Sequence, residues 1–174
     1  MFRKTLLTGV ALALLLGVVD ARAQDSKEAQ NKALANRFGE ALNRKDFDAV
    51  RELLAHDFVR HSQATPGLEH ANRDQFIEYL KADATTFPDE HQALVHVVAE
   101  GDLVAIWLVM EATQEVPMGP FPASHKRLRL DCSGIMRFSN GKLAELWITW
   151  DNLAALTQLG HFPPAAPKAL EKND

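Results

Sequence analysis

Residues 137–160, RFSNGKLAELWITWDNLAALTQLG, decide how this chain folds. They read as strand, two-residue turn, strand and short helix. Asn140-Gly141 is the turn, because a tight hairpin needs positive φ at both central residues and Asn and Gly tolerate it best. The returning strand ends in Trp147, Trp150 and Asp151, and a helix over 151–159 follows, with Asp151 at its N-cap position. A carboxylate beside two aromatic rings at a strand end is a place where a protein can meet a ligand.

Upstream of this stretch the periodicity is that of strands. His91–Glu100 and Leu103–Gln114 are β-rich runs joined at Gly101-Asp102, and a loop over Val116–Ala123 leads to a strand at His125–Phe138. Both early strands are apolar on both parities, so both sheet faces should be covered, by helices on one side and by a pocket or a second subunit on the other. Further upstream the spacing predicts three helices. Asp25 or Ser26 caps the first, with Glu28 in capping-box position, and Ala33, Leu34, Phe38, Ala41 and Leu42 form its apolar face. Asp46 caps a short second helix whose Phe47, Val50, Leu53 and Leu54 face inward, and Phe58–His61 is extended. Pro66-Gly67 marks a turn, and Phe76, Ile77, Tyr79 and Leu80 line the third helix, which ends before Pro88. Three helices ahead of a four-strand antiparallel meander make an α+β domain.

The ends differ from this body. Arg3 and Lys4 precede an apolar run, Thr5–Val19, and Ala21-Arg22-Ala23 has the form of a cleavage site, so residues 1–23 read as a bacterial export signal. The run is shorter than the roughly 20 residues of a spanning helix. The expected organisation is therefore signal 1–23, domain 24–160 and a Pro-rich tail 161–174, in a periplasmic or secreted protein. The chain carries a net charge of −4 and no basic run, which argues against nucleic acid and anionic membrane surfaces as partners. Cys132 is the only cysteine and lies in an apolar strand, so no intramolecular disulfide can form.

Several pieces occur together in order: Ala41-Leu42-Asn43 before Asp46-Phe47-Asp48, Leu53–Val59 leading to His61, and Ala99-Glu100-Gly101-Asp102. Arg137-Phe138, Asn140-Gly141-Lys142, Glu145, Trp147, Asp151 and Gln158-Leu159-Gly160 complete the set. From about Leu34 to Gly160 the chain thereby resembles the SnoaL-like polyketide cyclases, or ester cyclases, of the nuclear transport factor 2-like superfamily. The resemblance implies a cone-shaped α+β barrel, three N-terminal helices packed on a curved, mainly antiparallel sheet. Its open end would admit a small hydrophobic or carbonyl-containing molecule, commonly in a homodimer. It implies cofactor-free aldol cyclisation, in which a pocket carboxylate of raised pKa removes a proton beside a carbonyl. Two positions depart from that pattern. The family's strand aspartate corresponds to Ile148, and a family histidine on the preceding strand corresponds to Gly134.

The candidate acid/base residues are consequently sought elsewhere. His61 stands at a plausible pocket mouth, or is a structural histidine. Asp131 interrupts the apolar stretch Leu128–Ile135, so it faces the cavity or an edge. Ile148 and Trp150 share a parity and would wall the pocket, with Trp107 as core or ligand platform. Asp151 is either a pocket base or a helix cap, and capping would lower its pKa. No metal site is expected: His56/His61 and His91/His96 are spaced for a helix but lie in segments read as extended. The alternative to an enzyme is a non-catalytic binding or dimerisation module.

Overall fold

A computed structural model describes residues 5–162, with side chains from Gln24 onward. Four helices pack on one six-stranded sheet. The chain runs α1 (Thr5–Asn43), α2 (Phe47–Leu53), β1 (Leu54–His61), β2 (His70–Asn72), α3 (Arg73–Thr86), β3 (His91–Glu100), β4 (Leu103–Thr113), β5 (Arg127–Ser139), β6 (Lys142–Trp150) and α4 (Asn152–Leu159). The strand order is β2-β1-β6-β5-β4-β3.

The expected hairpin forms: Asn140 and Gly141 both have positive φ, 50° and 72°, as the twist of a two-residue turn requires. Both expected caps also form. Asp46 accepts the Ala49 N–H at 3.1 Å, and Asp151 accepts the Ala154 N–H at 3.0 Å. Helix α4 stops at Gly160, whose φ of 81° is the left-handed C-cap geometry. Helix α3 starts with a capping box that the sequence reading missed, Asn72 with Gln75.

Two expectations need correction. Neither Asp25 nor Ser26 begins a helix, because α1 runs without a break from Thr5. Glu28 instead accepts the Gly101 N–H at 2.9 Å, tying α1 to the β3–β4 turn. The meander of four strands is extended to six, since β1 pairs with β6 in parallel and β2 adds to its far edge. The sheet curves and stays open, in keeping with the expected cone. As expected, the helices cover one sheet face. Phe38, Phe58, Phe76, Ile77, Val104 and Leu146 are among the residues that pack between the helices and the inner face. On the outer face Val98, Trp107, Ile135 and Trp147 are 65%, 44%, 44% and 37% exposed. The tail beyond Phe162 lies outside the described residues.

Candidate functional site

Strand alternation sorts the candidate residues by face. On β1, Phe58 and Arg60 are buried, as is Ser62 just beyond its end, while His61 points the other way. On β5, Leu130 and Cys132 are buried and Asp131 is exposed on the outer face. Trp107 is likewise on the outer face. His61 and Asp131 are therefore not brought together with Ile148 and Trp150, which lie on the inner face and pack against the core. Asp151 is exposed and spends its carboxylate on the α4 cap.

Gly134 and Ile148 explain one another. They are direct partners across β5 and β6. A Cβ on Gly134 would stand 2.5 Å from the Trp147 carbonyl oxygen and 2.9 Å from Ile148 Cδ1. Any side chain at 134 is excluded by backbone, and Ile148 fills the adjoining space.

The inner face holds a polar group instead at Arg60, which is 1% exposed. Its Nη2 donates to Thr65 Oγ1 at 2.8 Å and its Nη1 to the Leu68 carbonyl at 3.3 Å. The guanidinium carbon lies 4.9, 5.9 and 6.0 Å from the ring centroids of Tyr79, Phe76 and Trp150. These are cation–π distances. No ion pair among the described residues includes Arg60. Burial pulls its pKa down, and Tyr79 and Asp83 push against that shift. Two residues along the same strand face, Ser62 Oγ is buried with no hydrogen-bond partner. The loop between Ser62 and β2 is pinned by the first residue of α4. Asn152 donates to the Ala64 carbonyl and accepts from Trp150 Nε1, both at 2.8 Å.

Asp83 adds a carboxyl to the same region. It follows Phe76 and Tyr79 on the inward side of α3, at helical spacing. Burial raises its pKa well above the carboxylate range, and the neighbouring Glu90 raises it further. Arg60 and Lys45 oppose the shift. Asp83 and Glu90 line a void of about 20 Å³ with Asn43, Lys45, Leu80 and Gln92. That is room for a single water, by the usual measure of about 10–15 Å³ each. Tyr79 stays a neutral phenol, because burial pushes its pKa up. Together these residues offer a buried cation, two hydroxyls and a carboxyl of raised pKa. Such a set can hold an oxyanion and give or take one proton.

Sequence reading missed Arg60, Ser62, Tyr79 and Asp83. A signal was present for Arg60, which shares strand parity with Phe58, a core aromatic. For Asp83 the signal was its helical face.

His61 has its own surroundings on the outer face. Its ring stacks on Trp147, centroids 5.0 Å apart and planes 7° from parallel. Its Nε2 is 3.3 Å from Glu145 Oε1 and its Nδ1 is 3.0 Å from His70 Nδ1. Arg137 binds the other Glu145 oxygen through Nε at 2.7 Å and Nη2 at 2.5 Å. Arg137 holds the Glu145 carboxyl below its ordinary pKa, with His61 adding to the effect. Among the described residues no group of three or more His, Cys, Asp or Glu side chains is arranged to hold a metal.

Comparison with known proteins agrees with this architecture. The chain is similar to IdmH of Streptomyces antibioticus, described as a candidate polyketide cyclase. The two share 27% identity over 75% of this chain and 99% of that one, with a TM-score of 0.69. It is also similar in fold to AclR of Streptomyces galilaeus, described as a candidate hydroxylase (24% identity, 78% and 99% covered, TM-score 0.69). A third similar fold is a candidate SnoaL-like polyketide cyclase from Jannaschia (22%, 78% and 95%, TM-score 0.68). No curated protein sequence matches the chain. The family model for SnoaL-like polyketide cyclases matches residues 32–159. With the helices, the open curved sheet and the residue pattern all in agreement, this chain belongs to the SnoaL-like polyketide cyclase family, with the cone fold of nuclear transport factor 2-like proteins.

Proposed function

We propose that this protein is exported and that its cone takes up a small hydrophobic molecule bearing a carbonyl oxygen, on which it performs cofactor-free proton transfer such as cyclisation or isomerisation. The observation that carries this reading is Arg60, a buried guanidinium held by neutral acceptors among aromatic rings. A buried cation whose hydrogen-bond partners are all neutral favours an arriving anion or a developing oxyanion. Asp83 supplies the acid/base group in place of the absent strand aspartate, since its raised pKa suits proton exchange nearer neutrality. Ligand entry requires the side chains packed around Arg60 and Asp83 to give way, because the free volume beside Asp83 fits only water.

The test is exchange of the proton beside the carbonyl of an aromatic β-keto ester in deuterated buffer. The wild-type chain should accelerate it, and Asp83→Asn should lose the acceleration while Arg60→Lys retains part of it. Exchange equal to the uncatalysed rate in every chain would sink the enzymatic reading. A non-catalytic binding protein is then favoured, because Gly134 and Ile148 make the inner wall apolar where the family pattern is ionisable. Export is tested by the N-terminus of the released protein, expected at Gln24. The bare outer face, with Ala105, Ile135 and Trp147 in one cross-strand row, suits association with a second copy of the chain. Light scattering should give a dimer mass that falls with Trp107→Lys.

A further inference from the structure

His61 and His70 stand directly opposite each other on the antiparallel pair β1 and β2. Directly opposed residues bring side chains together without any further folding of the chain. Here the two Nδ1 atoms point at one another, 3.0 Å apart, with ring centroids at 5.1 Å and planes at 84°. Glu145 settles which nitrogen of His61 is free. A carboxylate only accepts, and Arg137 occupies the other Glu145 oxygen, so His61 Nε2 carries the hydrogen that faces Oε1. The Nδ1 lone pair of neutral His61 is then directed at His70. Stacking on Trp147 fixes the plane of the ring from one side, and the carboxylate fixes it from the edge.

This is the arrangement of a metal-ligating histidine: one nitrogen bare, the other tied to a carboxylate. We propose that His61 and His70 bind a divalent first-row transition ion such as Zn²⁺ through their Nδ1 atoms, with Glu145 as the orienting carboxylate. Two metal–nitrogen bonds of about 2.0–2.1 Å at a tetrahedral angle hold the nitrogens about 3.4 Å apart. The present separation widens to that value by a few tenths of an ångström, through side-chain torsions of the exposed His70. In the metal-free pair His70 donates its Nδ1 hydrogen to His61. On binding, His70 moves that hydrogen to Nε2, so both imidazoles stay neutral and each gives one lone pair. No third protein ligand joins them among the described residues, so water completes the coordination and the ion is exchangeable. Imidazole ligands select Zn²⁺, Cu²⁺ and Ni²⁺ over Mg²⁺ and Ca²⁺.

Titration calorimetry of the full chain with Zn²⁺ should show one saturable site, and Mg²⁺ none. His70→Ala, on an exposed edge strand, should weaken Zn²⁺ binding at least tenfold with an unchanged circular dichroism spectrum. His61→Ala should do the same, and Glu145→Gln should weaken it several-fold. His96→Ala and His125→Ala should leave it unchanged. Cu²⁺ should quench tryptophan fluorescence, with that quenching lost in Trp147→Phe while Zn²⁺ affinity is kept. Wild-type affinity in His70→Ala, or no Zn²⁺ heat in the wild-type chain, overturns the proposal.

Discussion

Two arginines lie on opposite faces of the same sheet and show what each face does. Arg137, with its side chain 38% exposed, grips the Glu145 carboxylate on the outer face. Arg60, 1% exposed, faces three rings and is hydrogen-bonded to a hydroxyl and a backbone carbonyl. The outer charge is already answered and partly hydrated, so it asks for nothing more. The inner charge is hydrogen-bonded only to neutral dipoles, and it feels the Asp83 carboxyl without forming an ion pair, so desolvation is costly. Ionisable residues are found on both faces, but only the inner ones are under electrostatic pressure to receive something.

Substitutions on each face test this contrast. Phe58→Ala, beside Arg60 in the core, should lower stability by about 3–5 kcal/mol in urea unfolding, because it opens a cavity among Phe76 and its neighbours. Trp147→Ala on the outer face should cost far less, and equal costs would break the distinction between the faces. Gly134→Ala should cost about 1–3 kcal/mol, read as a lowered Tm. Pairing it with Ile148→Val should not restore the loss, since the Trp147 carbonyl still blocks the new methyl. Asp151→Ala should cost about 1 kcal/mol by removing the α4 cap and should leave proton-exchange activity intact. Loss of activity there would return Asp151 to the chemistry.

The smallest effects are the titrations of the two faces, and they carry opposite signs. Asp83 has a raised pKa in the folded chain, so the unfolded chain gives up this proton first as pH rises. Stability is therefore lost from about pH 4 upward through the folded pKa, and Asp83→Asn should flatten that slope. Glu145 has a lowered pKa, so its contribution is present above the unfolded value and is lost as pH falls. Glu145→Gln should cost up to about 1 kcal/mol at neutral pH, less in high salt, as measured by chemical denaturation.

Local chemistry made much of this legible from residues alone. Asn140-Gly141 demands a hairpin, Asp46 and Asp151 demand helix starts, and the apolar runs after His91 demand strands. The resemblance across 34–160 likewise placed the chain in its family, because the order of motifs is carried in the sequence. The site was less legible. His61 and Asp131 were chosen because ionisable residues in extended segments attract notice, yet parity counted from a buried neighbour puts both on the outer face. Counting from Phe58 would have singled out Arg60, and counting along α3 from Phe76 would have reached Asp83.

Sequence by itself determined the elements, their caps and turns, and the family, because those depend on short-range backbone preferences and on residue order. Tertiary structure alone decided that β1 lies parallel to β6, that the sheet stays open, and that His61 meets His70 and Glu145. It also decided that Arg60, Tyr79 and Asp83 share one interior. The physical reason is that a strand pattern states which side chains share a face but not which strand lies beside it. The environment of a charge, and hence its pKa and its use, comes from neighbours far away in the chain.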